Sequence, residues 1–120
     1  MAQTKAQIVD RAAQECGKLR LGQSLQTQDQ TRFEAAYDEV YGELENEGLA
    51  VWLSTASVPT KLAKLMVFLV AHNVSGTYGI SGARFERIVL ITGAEDEKAY
   101  RQMKKIITPP HSSEDENVDY

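Results

Sequence analysis

Seven consecutive apolar residues, positions 65–71, constrain this chain more than any other feature. They lie inside the stretch VPTKLAKLMVFLVAHNVSGTYG, residues 58–79, with Leu62 and Ala63 before them and Val74 after. A helix that is apolar around most of its circumference has to be buried on most sides. The stretch is therefore expected to be the central helix of a small fold. Pro59 suits a first helical turn, Ser57 offers a cap ahead of it, and Gly76 and Gly79 let the helix stop. A buried strand would also use Val67, Phe68 and Val70. Lys61, Lys64 and His72 around the run, with its Leu, Ala and Met content, favour helix. The run is far shorter than the ~20 apolar residues of a membrane span.

At 120 residues the chain is expected to be one domain with a modest core. MAQTKAQIVD has no apolar segment of the secretory kind, so synthesis in the cytoplasm is the expectation. The single cysteine, Cys16, excludes an intrachain disulfide framework and a Cys-rich metal site. The net charge of −4 is unevenly placed. Residues 108–120 hold Glu114, Asp115, Glu116 and Asp119 with no Lys or Arg. Of the 17 acids, 13 remain for the other 107 residues, against 13 bases, so the body is neutral and the excess is a property of the tail. That is a poor electrostatic footprint for nucleic-acid binding, which calls for clustered Lys and Arg.

Residues 4–19 read as a first helix, with Ile8, Ala12, Cys16 and Leu19 on one stripe and Thr4 and Gln7 spaced as a capping box. Gly17 and Gly22 open a polar connector in which Leu21 and Leu25 are packing pegs. Residues 27–47 form the clearest helix. Thr27 and Gln30 repeat the capping-box pattern, Phe33, Tyr37, Val40, Tyr41 and Leu44 make one face, and Gly48 is the stop. LAVWLSTAS, residues 49–57, suggests an extended segment or short strand. Its Trp52 either plugs one end of the core or anchors a subunit interface. Ser81 caps a last helix from residue 82 to about 107, with a kink or break at Thr92-Gly93. Lys98, Arg101, Lys104 and Lys105 near its end suit the helix dipole; a solvated face is the simpler reading and a binding patch the other. Thr108-Pro109-Pro110 ends it, and HSSEDENVDY has the composition of a disordered or partner-ordered tail with no evident basic partner in the chain. The fold class is thus all-α, a bundle of about four helices over residues 1–107, followed by a tail over 108–120.

No catalytic constellation stands out. His111 is in the tail, and His72 on the buried helix suits a hydrogen-bonded core or interface role better than catalysis. Asp38 and Glu39 are ordinary surface composition, GTYGISG lacks a phosphate-loop lysine, and Cys16 sits on an apolar stripe as a small core residue. Neither an enzymatic activity nor a cofactor or metal is expected. A small helix-turn-helix DNA-binding regulator is the rival, with Arg84 and Arg87 in the N-terminal turns of the last helix and Glu86 between them.

The order of features resembles the head-to-tail connector adaptors of tailed bacteriophages, including the tail accessory factor of short-tailed phages. The resemblance spans about residues 5–107. It rests on a short first helix (AQIVDRAAQECGKL) and an acidic amphipathic helix ending in glycine and an apolar residue (FEAAYDEVYGELENEGL). An irregular aromatic-containing segment (AVWLSTAS) follows, then the proline-led apolar helix closing at Tyr78-Gly79. A last helix with basic residues near its end (FERIVLITGAEDEKAYRQMKKI) leads into a polar tail. The resemblance implies a structural virion protein, assembled in the host cytoplasm into a ring, dodecameric by analogy, beneath the portal protein. The ring would extend the DNA channel, let packaged DNA pass without specific binding, and dock the tail, nozzle or stopper protein, with no membrane involved. It also implies a tail that reaches the portal, for which Pro109, Pro110, Val118, Asp119 and Tyr120 are the candidate contacts. Trp52 and Tyr41 are the candidate residues of the subunit interface.

Overall fold

The computed structural model describes residues 2–19, 23 and 25–107. Five helices follow in order: α1 (Lys5–Glu15), α2 (Thr27–Asn46), α3 (Thr60–Tyr78), α4 (Gly82–Thr92) and α5 (Glu97–Ile107). Among the described residues there is no strand, only one isolated antiparallel bridge between Gln3 and Val58. α3 packs against each of the other four helices. Every residue from 65 to 71 is buried, so the apolar run is the axis of the fold. α1 contributes Ile8, Val9, Ala12 and Ala13 to one side of it, and α2 contributes Phe33, Tyr37, Val40 and Leu44. Burying such side chains at ~25 cal/mol per Å2 is what drives the assembly of these helices, since in proteins packing rather than propensity supplies most helix stability.

Helix ends account for most boundary differences from expectation. The Thr4–Gln7 capping box forms: Gln7 N–H donates to Thr4 Oγ1 (3.2 Å) and Thr4 N–H to Gln7 Oε1 (2.9 Å). α1 stops at Glu15, short of Leu19, because Gly17 adopts φ +76°. Lys18 N–H then bonds Ala13 O and Gly17 N–H bonds Gln14 O, a Schellman closure. The same pair of bonds closes α2 at Gly48 and α3 at Gly79, whereas Gly76 lies inside α3. The second capping box does not form. Thr27 is already the first residue of α2, Gln26 precedes it without a side-chain cap, and Gln30 reaches forward to Glu34 instead. Pro59 stands one residue outside α3, and Ser57 lies too far upstream to cap. Proline keeps Val58 extended, and the extended residue exchanges both backbone hydrogen bonds with Gln3 (3.0 and 2.7 Å). Of the extended segment or short strand expected in residues 49–57, no strand forms: the segment is irregular, with a bend at Trp52 and a turn at Ser54-Thr55.

The expected long last helix is two helices. Gly93 at φ +85° and Asp96 at φ +64° reverse the chain, and a side chain at Gly93 would run into the Glu97 carboxylate. Thr92 Oγ1 donates back to the Ile88 carbonyl (3.1 Å), closing α4 from its own last turn. Leu25 packs on the core as expected. Leu21, Gly22 and all of 108–120 lie outside the described residues.

Candidate assembly surface

Three aromatic residues define one end of the bundle. Tyr37 and Tyr41, one turn apart on α2, point at the segment after α2. Trp52 Nε1 donates to Tyr37 Oη (3.2 Å), Tyr41 Oη donates to the Trp52 carbonyl, and the Tyr41 and Trp52 rings meet edge to face at 5.7 Å. Burial raises the Tyr37 phenol above its ordinary range, which keeps it protonated. Trp52 and Tyr41 are therefore buried in their own chain, at 7 % and 8 % exposure. Trp52 acts as the plug of the core. What the two residues present outward is the segment they hold: Val51 and Leu53, on either side of Trp52, are 53 % and 73 % exposed.

The other singled-out residues are tied into the body. Arg84 Nη1 donates to the Gln14 and Glu15 carbonyls (both 3.4 Å), where a cation at a helix C-terminus is favoured. Arg87 pairs with Glu15 (3.2 Å) and lies over the Phe68 ring. His72 Nδ1 lies 2.7 Å from Asp96 Oδ1 and 3.2 Å from Thr92 Oγ1, fastening α3 to the turn between α4 and α5. Asp38 accepts from Lys5 (2.8 Å) and Glu39 from Asn73 (2.8 Å), so these adjacent carboxylates serve different helices. Cys16 Sγ is buried against the Ala71 carbonyl, and burial pushes the thiol up to about 11, out of the reactive range. No cluster of three metal-ligating side chains occurs among the described residues, and no helix there is long and apolar enough to cross a membrane. Pro109, Pro110, His111, Val118, Asp119 and Tyr120 fall outside them.

The described residues form an all-α fold of five helices, four of them packed on one apolar helix. Compared with protein-family models, curated proteins and solved structures, the chain matches none.

Proposed function

We propose that this chain is a structural head-to-tail adaptor of a tailed bacteriophage virion, one copy of a dodecameric ring beneath the portal protein. In this reading the ring extends the DNA channel and docks the next tail component, and residues 108–120 engage the portal through Pro109, Pro110, Val118, Asp119 and Tyr120. The observation that carries it is the exposed pair Val51 and Leu53 on a segment pinned from beneath by Trp52 and Tyr41. Two large apolar side chains held rigidly at the surface suit a permanent protein contact, because little ordering cost remains when a neighbour covers them. Trp52 and Tyr41 then serve the subunit interface as its support. The neutral body suits a conduit that does not grip DNA, and the tied arginines disfavour a DNA-binding regulator, which would need Arg84 and Arg87 to leave α1.

The interface is tested by Leu53→Asp in full-length protein mixed with the cognate portal protein. Loss of the portal-bound ring in electron micrographs, with the circular dichroism of the monomer unchanged, is the expected result. An intact ring would remove Leu53 from the interface. Sequence-selective, salt-dependent binding of the protein to DNA, lost in Arg84→Ala, would instead establish the regulator reading.

A further inference from the structure

On the face away from α1 and α2, the packing of α4 and α5 on α3 leaves an open groove of about 350 Å3. Lys61 and Lys64 of α3 and Lys98 of α5 stand around it, and Leu65, Leu90 and Ile106 give it an apolar lining. No carboxylate lines it among the described residues. Lys98 Nζ donates to the Leu90 carbonyl (2.8 Å), which fixes that charge at the edge. Leu90 is 68 % exposed, an unusual position for a leucine on a helix that buries so little of itself. Three cations around an apolar strip call for an extended acidic segment that also carries apolar side chains.

One such segment exists in the chain. Glu114, Asp115, Glu116 and Asp119 supply the charge and Val118 and Tyr120 the apolar groups, whereas the other acidic stretch free of bases, Glu34 to Glu47, is taken up by α2 and its cap. We propose that the groove is the docking site of this chain's own C-terminal segment, residues 111–120. The segment leaves α5 directly after Ile107, next to Ile106 in the groove wall. From Ile106 back to Lys98 is about 12 Å along α5 at 1.5 Å per residue. An extended chain covers that in about four residues. Thr108-Pro109-Pro110 can make the reversal, so the acidic residues come back alongside the lysines with chain to spare. Tethering raises the local concentration of the segment to about the millimolar range, so a weak contact suffices and a neighbour's groove is at a disadvantage. The docked segment is a self-covering arrangement that a stronger partner displaces. It requires nothing of the portal reading, and the test below involves no portal, so either can fail alone.

The test uses the full chain with a nitroxide on Asn117→Cys; buried Cys16 does not compete for the label. Amides of Lys61, Lys64, Leu90, Lys98 and Ile106 are expected to broaden several-fold more than those of α1 and the exposed face of α2. Lys61→Glu with Lys64→Glu, both solvent-exposed positions that leave the core untouched, should reduce the effect to the remote-face level. Salt at about 0.5 M, where the Debye length is about 4 Å, should weaken it as well. Uniform broadening, or broadening that survives the double charge reversal, overturns the proposal. So does broadening of isotope-labelled chains by spin-labelled chains in a mixed sample, which would assign the segment to a neighbour.

Discussion

The two sides of α3 are built differently. Toward α1 and α2 the contact is apolar and interlocked: Ile8, Val9, Phe33, Tyr37, Leu44, Met66 and Leu69 are all at 1 % exposure or less. Toward α4 and α5 fewer side chains are fully buried: Ile88 and Thr92 of α4 and Ala99 and Met103 of α5, while Ile91, Tyr100, Ile106 and Ile107 are only partly covered. Polar fastenings stand in for the missing area. They are His72 to Asp96, Arg84 and Arg87 to the end of α1, and Tyr100 Oη to Glu43 (3.1 Å). Net hydrogen-bond contributions of about 1 kcal/mol each do not match a full apolar interface. The α4–α5 hairpin should therefore open below the global unfolding free energy, while α1–α3 exchange only on global unfolding. The groove lies across that seam.

The largest expected effect is on the interlocked side. Phe33→Ala removes a ring stacked on Tyr78 at 5.6 Å and should cost about 3–5 kcal/mol in chemical denaturation. A cost below about 1 kcal/mol would mean that α2 is not held by this face. Met103→Ala should cost about 2–5 kcal/mol, but hydrogen exchange should place the loss first in α4 and α5. Equal acceleration in all five helices would make the molecule one cooperative unit and end the comparison. Asp96 tests the seam itself. Asp96→Ala loses the His72 bond and keeps a strained φ of +64°, whereas Asp96→Gly loses the bond and relieves the strain. The glycine variant should be the more stable by about 1 kcal/mol.

The smallest effect appears only in alkali. Partial burial, then the hydrogen bond to Asp29 (2.7 Å), raises the Tyr78 phenol to about 12 from 10.0. Burial likewise raises Cys16 to about 11 from 9.0. In each case the folded state holds its proton more tightly than the unfolded state. The contribution is present below the unfolded value and is lost as pH rises through the folded one. Stability should fall as pH rises above 9.0, with Tyr37 and Tyr100, also raised by burial, adding to Cys16 and Tyr78, and Tyr78→Phe should lessen the fall above pH 10.0 without removing it. A profile unchanged by that substitution would remove Tyr78 as a contributor.

What was legible in the sequence follows the same division. The interlocked side was readable because apolar periodicity encodes it directly: the buried axis, the α2 face and the glycine closures at positions 48 and 79 all stand as expected. The seam was not, because its fastenings join residues 20 or more positions apart, such as His72 with Asp96 and Arg84 with Gln14, through single polar bonds that leave no periodic trace. Gly93 marked the break, but the reversal also needed Asp96 in the left-handed region, a conformation composition does not announce. Thr27 failed as a cap for a related reason, since the same spacing serves either inside or just before a helix. In residues 49–57 the sequence shows the aromatic residue but not that Trp52 is buried while Val51 and Leu53 are exposed, which follows from the bonds of Trp52 to Tyr37 and Tyr41.

The central functional claim is assembly, and electron microscopy of the full-length protein mixed with its cognate portal protein tests it most directly. The adaptor reading predicts a coaxial ring of dodecameric symmetry added beneath the portal, with subunits meeting at Val51 and Leu53. Portal particles unchanged by the addition, with the protein remaining monomeric in solution, would contradict it.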